Sequence, residues 1–397
     1  MSSPSHRTHP LPEPDAASAA RSAEMLARIR AHIDRHGGSI AFEEYMRIAL
    51  YEPGLGYYAG GLRKFGAEGD FVTAPENAPL FSRCLARQCA EILDRLGGGE
   101  ILEFGAGGGA MAADVITELH ELGCAPARYS ILEISGELRA RQRETLEARA
   151  PAARGRVRWC ERLPARPIRG VILANEVLDA MPAVRFRVAA DGVRELRVGW
   201  DGTRLHWVEA AAPPALAAAV AELQRDLPQP LPPGYTSELN PMLAGWMQSA
   251  ADTLAAGAMI IIDYGYPRRE FYHPERRDGT LMCHYRHRAH ADPLVLPGLQ
   301  DITAHVDFTA VARAGTAAGL RLAGYTTQAH FLLGTGLDRI LAASDPDDVR
   351  AHLALTRQVK QLTLPGEMGE RFKVIGFTRD CDAPLAGFAL RDLSDRL

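Results

Sequence analysis

The stretch EILEFGAGGGAMAADVITELHEL (100–122) decides how this chain is read. A short apolar run, EILEF (100–104), meets a glycine cluster and then a segment of helical spacing that ends at Leu122. Glycines permit a tight strand-to-helix turn and let a ligand approach the backbone beside helix N–H groups. The placement between strand and helix favours a ligand-binding turn over a plain connector, although a second triplet, Gly97-Gly98-Gly99, stands just upstream.

Outward from this turn the same rhythm repeats. YSILEI (129–134), RVRWC (156–160), GVILANE (170–176), MIIID (259–263), GLRLAGYTTQ (319–328) and RFKVIGFT (371–378) are short apolar runs, several of them separated by segments of helical spacing. Such alternation gives an α/β fold with a parallel sheet covered on both faces. Upstream, Met25, Leu26, Ile29 and Ile33 share one helical face, a second helix reaches Leu50, and a third covers about 80–96. Between them the glycine-rich loop 52–76 is long enough to suggest a functional role. VRFRVAADGVRELRVGWDGTRLHWVEA (184–210) reads as antiparallel strands turning at Asp191-Gly192 and Asp201-Gly202. The expected plan is a disordered tail (1–20), a helical leader with a lid loop (21–96) and one core (97–380). Insertions at 184–234, 266–300 and 330–365 interrupt that core and form its substrate side, and a C-terminal tail (381–397) follows.

Composition narrows the class. With 47% hydrophobic and 24% charged residues the chain is an ordinary globular one, not a disordered one. A formal net charge of −4 disfavours a large nucleic-acid footprint, which works by neutralising phosphates. Only Lys64, Lys360 and Lys373 are lysines, so the basic residues are almost all arginine, as a GC-rich genome would give. No apolar run is long enough for a membrane span, and residues 1–20 lack the apolar stretch of a secretory signal. Six cysteines without a CxxC pair suit reduced thiols in a bacterial cytoplasm.

The strand ends carry the chemistry. Gly105, Ala106 and Gly107 line the turn. Gly105, Gly107 and Ala110 also fit the G-x-G-x-x-G/A pattern of dinucleotide enzymes, which keeps an NAD-dependent oxidoreductase in competition. Glu103 speaks against a pyrophosphate and for a cationic ligand such as S-adenosylmethionine, with its sulfonium and ammonium. Glu133 and Ile134 end the second strand, where a carboxylate can accept ribose hydroxyls. Glu161 and Leu163 follow the third and offer a polar edge and an apolar wall to an adenine. After the fourth, Asn175-Glu176-Val177-Leu178-Asp179 places Asn175 and Glu176 at the crevice. One helical turn would put Glu176 and Asp179 on one face, suited to orienting a guanidinium, amine or amide. The same letters also allow Asn175 to act as an N-cap, with Asp179 paired to an arginine.

These residues sit within a longer resemblance. YMRIALYEPGLGYY (45–58), KFGAEGDFVTAPE (64–76), ILEFGAGGGA (101–110), NEVLDAMP (175–182), SELN (237–240), IIDYGY (261–266), FYHPERRDGTLMCHYRHR (271–288), PGLQDITAHVDFT (297–309) and TTQAHFLLGTGL (326–337) occur in this order. The chain resembles the class I S-adenosylmethionine-dependent methyltransferases of the MidA type, a family that includes the mitochondrial complex I assembly methyltransferase. The resemblance covers about residues 40–340. It implies a Rossmann-like seven-stranded sheet with the last strand antiparallel, and S-adenosyl-L-methionine as the methyl donor. For the mitochondrial branch it implies an arginine of a complex I subunit as acceptor. Where this family commonly has Ser in the glycine segment, Gly108 stands here.

The resemblance also makes GDFVTAPE (69–76) a lid, with Asp70 and Glu76 toward a guanidinium and Thr73 toward the cofactor, while the same letters allow a rigid Pro/Gly loop in which Asp70 and Glu76 cap backbone N–H groups. Within QDITAHVDF (300–308) it offers His305 as a proton acceptor, while Asp301 and Asp307 stand near enough in sequence to make it structural instead. His273, Cys283, His284 and His287 fit no structural zinc spacing, so no metal is expected. Methyl transfer to a nitrogen of a protein substrate, arginine foremost, is the leading expectation. Beside it stand the NAD-dependent oxidoreductase and a non-catalytic assembly factor that binds S-adenosylmethionine.

Overall fold

The computed structural model describes residues 11–60, 78–153, 155–345 and 347–397. The chain divides into two compact units. Of the described residues, one gathers those up to 60 with 180–240 and 274–304, and the other those from 78 to 179 with 241–273 and 305–397. The leader therefore clusters with the segments inserted after 180 and 274 rather than standing apart, while the inserted helices near 330–365 stay with the sheet.

The larger unit is built on seven strands. They are β1 (Glu100–Phe104), β2 (Arg128–Leu132), β3 (Val157–Cys160), β4 (Ile168–Asn175), β5 (Leu254–Tyr266), β6 (Arg321–Thr327) and β7 (Phe372–Arg379). Their order is β6-β7-β5-β4-β1-β2-β3. Neighbours from β3 through β5 pair in parallel, and β7 runs antiparallel to both β5 and β6. A two-residue strand, Val306–Asp307, extends this sheet by pairing with Gly265 and Tyr266. Runs such as VILAN in β4 are buried throughout, as expected of strands covered on both faces.

Helices α1 (Pro79–Leu96) and α2 (Ala110–Glu121) bring Leu85, Cys89, Ala112 and Val115 into one core with Ile101, Leu173, Ile260 and Val374 of the sheet. Next in sequence is α3 (Gly136–Arg149), capped by the Ser135 hydroxyl, which accepts from the Leu138 N–H at 3.3 Å. On the opposite face Trp246 of α4 (Leu243–Asp252) meets Phe104 edge-on, with ring centroids 5.2 Å apart. There Gly315 of α5 (Phe308–Ala317) packs so closely on Phe377 that an added Cβ would fall 2.4 Å from its ring. Ala383, Leu385 and Phe388 are buried in the first core, so the chain beyond 380 completes it rather than trailing from it. Because β1 leads outward to β2 and β3 while β4 lies on its other side, the carboxyl ends of β1 and β4 flank a topological switch point, where α/β sheets bind ligands.

The smaller unit starts with a helix at Ala16–Arg35, five residues inside the stretch expected to be disordered, and continues with a helix at Phe42–Tyr51. Ser39–Ala41 pairs with Arg197–Gly199 on an antiparallel sheet whose hairpins turn at Asp191-Gly192 and near Asp201-Gly202, as the sequence suggests. A three-stranded sheet (282–285, 288–290, 301–303) lies largely within the insertion expected at 266–300. Met25, Ile29, Phe42, Tyr45, Val198 and Ile302 form its core. Among the described residues no helix is long and apolar enough to cross a membrane.

Candidate cofactor and acceptor site

The turn after β1 depends on glycine. Gly105, Gly107 and Gly109 have φ of +62°, +52° and +86°, a left-handed backbone that costs a side-chain-bearing residue about 1 kcal/mol or more. Gly109 is the N-cap of α2, and a Cβ there would lie 3.1 Å from the Gln142 Cα. Gly105 is exposed and Ala106 buried, so the turn presents backbone, not side chains, to a ligand.

Glu103 is 1% exposed. Its Oε2 accepts from the Tyr129 hydroxyl at 2.7 Å, while Oε1 is buried without a hydrogen-bond partner. Burial pushes this carboxyl up to about 7, against the pull of the Tyr129 hydrogen bond. A buried carboxyl with one oxygen unsatisfied and a proton held near neutrality is stabilised as the anion by a cation at the adjoining loop. The donor set therefore fits S-adenosyl-L-methionine, which is cationic, better than a pyrophosphate.

Gln142 of α3 joins three strand ends. Its Nε2 donates to the Gly107 carbonyl at 3.0 Å and to Glu133 Oε2 at 3.2 Å, and its Oε1 accepts from Trp159 Nε1 at 2.9 Å. Glu133, buried at the end of β2, also accepts from the Ser135 N–H through Oε1 at 2.8 Å. Its carboxylate is thus oriented by protein donors at the end of β2, where a carboxylate can meet ribose hydroxyls. Beside it Ile134 is 71% exposed, an apolar side chain open to a flat ring. Glu161 forms an ion pair with Arg139 at 2.6 Å, and Leu163 is half-buried.

At the end of β4 the Asn175 amide donates to Glu176 Oε1 at 3.1 Å, and the Glu176 N–H donates to the Ile262 carbonyl at 2.9 Å. Glu176 has φ +52°, a strained backbone for a residue with a Cβ and one that recurs at functional sites. Asp179 is buried. Asp263, on β5 and fully buried, accepts through Oδ2 from the N–H groups of Leu178 at 3.0 Å and Asp179 at 3.3 Å. Burial, with the negative charges of Asp179 and Glu176 behind it, holds the Asp263 carboxyl well above the ordinary carboxylate range.

His305 lies against two rings. It stacks on Tyr266 with centroids 5.4 Å apart and meets Tyr264 edge-on at 5.1 Å. Asp307 is taken up elsewhere, pairing with Arg268 at 2.9 Å and capping α5 at Ala310. Asp301 accepts from the Tyr58 hydroxyl at 2.8 Å. The strand ends thus bring Glu103, Gly105, Glu133, Asn175 and Glu176 to one edge of the sheet. Asp70, Thr73 and Glu76 lie outside the described residues. Sequence reading missed Gln142, which has no local motif, and Asp263, which reads there as the last letter of a strand. Among the described residues no group of three or more His, Cys, Asp or Glu could hold a metal ion.

The sheet order, the antiparallel β7 and the glycine turn define a Rossmann-like methyltransferase fold. A model of a family of S-adenosyl-L-methionine-dependent methyltransferases matches residues 84–326, and this chain belongs to that family. That match decides between the two readings of the glycine turn in favour of S-adenosyl-L-methionine over NAD. A crystal structure of a Burkholderia thailandensis protein bound to S-adenosyl-homocysteine is 46% identical, covers 98% of this chain and 100% of its own, and superposes with a TM-score of 0.93. The mitochondrial protein arginine methyltransferase NDUFAF7 of Danio rerio is 29% identical over 374 residues, 85% of this chain and 82% of that relative. Its Homo sapiens counterpart is 29% identical over 376 residues, 84% and 79% respectively.

Proposed function

We propose that this protein transfers the methyl group of S-adenosyl-L-methionine to a nitrogen of a protein substrate, and that the acceptor is an arginine side chain. The observation that carries this reading is the gathering of Glu176, Asp179 and Asp263 just past the end of β4, where Asp263 accepts from the Asp179 N–H and the Glu176 N–H donates to the Ile262 carbonyl. Like charges brought together in a buried place raise one another's proton affinity, and a cation relieves them. A guanidinium is planar, stays charged and offers five N–H donors, which suits carboxylates better than an amine or amide does. Relatives named as protein arginine methyltransferases support the same acceptor. The resemblance set out above makes a respiratory complex I subunit the first acceptor protein to test.

The bound donor supplies an electrophilic methyl group on a sulfonium. The Gly105–Gly109 backbone, Glu133 and the exposed Ile134 would hold its nucleoside and amino-acid parts. Asn175 sets the Glu176 carboxylate, which would accept from the guanidinium and fix the direction of its nitrogen. Fixing that direction and removing the solvation shell lower the barrier to an in-line approach. Glu176 or Asp179 would hold the proton that the acceptor nitrogen gives up, with His305 as the further acceptor at this edge.

The test is to incubate the purified protein and deuteromethyl S-adenosyl-L-methionine with an extract of cells lacking it. Deuterated methylarginine in the hydrolysate is the expected result. Label on another residue type would overturn the acceptor. Donor binding without any label would favour the non-catalytic assembly factor.

A further inference from the structure

Strand β5 outruns its neighbour: Ile262 pairs with Asn175, the last residue of β4, so Asp263 is the first residue beyond that pairing. On its other side Asp263 remains in antiparallel register with Lys373 of β7, so its backbone is fixed by the sheet. The side chain is fully buried and reaches toward the turn after β4. Oδ2 accepts from the N–H groups of Leu178 at 3.0 Å and Asp179 at 3.3 Å, and Oδ1 from that of Tyr264 at 2.9 Å. Three N–H donors thus converge on two oxygens. A carboxylate can accept all three, whereas a carboxamide would turn an NH2 group toward at least one donor.

The turn that Asp263 holds starts at Glu176, whose φ of +52° persists only if the surroundings over-determine it. Two anchors do so. The Glu176 N–H is bound to the Ile262 carbonyl at 2.9 Å, and two residues on the turn is bound to Asp263. Both anchors belong to consecutive residues of β5. An aspartate placed here among two further carboxyl groups is electrostatically unfavourable.

We propose that Asp263 is a positioning residue of the acceptor site: it holds the Glu176–Asp179 turn in the strained form that offers both carboxyl groups to a guanidinium. This rests on the arginine reading above and gives Asp263 a distinct part in it, that of holding the turn in place.

The experiment uses the full chain saturated with S-adenosyl-homocysteine and titrates the peptide amide Gly-Arg-Gly by calorimetry, with Gly-Lys-Gly as the control. Asp263→Asn is expected to bind S-adenosyl-homocysteine within about twofold of wild type and the arginine peptide about tenfold more weakly. A merely structural role would move both affinities together or neither. Unchanged peptide affinity in a folded variant overturns the proposal. Hydrogen exchange in the wild type is read independently, so a variant that fails to fold leaves a decision. Amides of Leu178 and Asp179 should be protected like those of β5, and exchange at the rate of open loops overturns the anchoring. A wild type that binds neither peptide would sink the arginine reading itself, while protected amides would still mark Asp263 as the anchor of the turn.

Discussion

Replacing Glu103 by Gln should remove a pH dependence from the stability of this protein. Above pH 7 the carboxyl is ionised in both folded and unfolded chains, and well below pH 4.5 it is protonated in both. Between these limits the folded chain keeps a proton that the unfolded chain releases, because burial lifts Glu103 from 4.5 to about 7. Stability therefore falls as pH rises from about 4.5 to about 7. The rise corresponds to about 3 kcal/mol, at roughly 1.36 kcal/mol per pH unit. Gln has nearly the same shape and no proton to lose. Its carbonyl still accepts from the Tyr129 hydroxyl, at a loss of about 1 kcal/mol relative to a charged acceptor. At pH 8 the variant should be about 2 kcal/mol more stable than wild type, and at pH 4.5 the two should agree within about 1 kcal/mol. Urea unfolding followed by tryptophan fluorescence at several pH values from 4.5 to 8 gives both curves. Parallel curves would refute the reasoning, since they would mean that Glu103 titrates alike in folded and unfolded chains. The stabilised variant should bind S-adenosyl-L-methionine more weakly, with a smaller loss for S-adenosyl-homocysteine, which lacks the sulfonium charge.

Two other substitutions probe the cofactor turn. Gly109→Val places a Cβ against Gln142 in a left-handed backbone, so it should cost about 2 kcal/mol of stability and reduce donor affinity, both measurable by thermal shift with and without S-adenosyl-homocysteine. Gln142→Ala removes the donor shared by Gly107 and Glu133 and leaves Trp159 Nε1 unpaired, so donor affinity should fall about tenfold in calorimetry; an unchanged affinity would mean that Glu133 is oriented without it.

Much of the sheet is legible in the sequence because parallel strands covered on both faces read as short apolar runs, and the glycine cluster marks where the first one turns. Glu176 is legible for the same reason: it ends an unbroken apolar strand. Pairing over long separations is not legible. Ser39–Ala41 meets Arg197–Gly199 across more than 150 residues, and nothing local in either segment announces that the leader and the inserted strands form one unit. The end of the chain is misread for a similar reason. Residues 381–397 are expected to be a tail, yet Leu385 and Phe388 fill a core whose other walls lie in α1 and the sheet. Gln142 and Asp263 act through partners that the fold supplies, a glycine carbonyl and two loop amides, so their identities carry no signal until the strands are in place.

Glu176 is the residue on which acceptor chemistry at this edge depends most directly. Once the acceptor protein is in hand, wild type and Glu176→Gln should be compared for methyl transfer and for donor binding under the same conditions. Transfer reduced roughly a hundredfold, with the affinity for S-adenosyl-L-methionine within about threefold of wild type, is the predicted result. Transfer at the wild-type rate by a variant that binds the donor normally would contradict the assignment of the acceptor to the acidic end of β4.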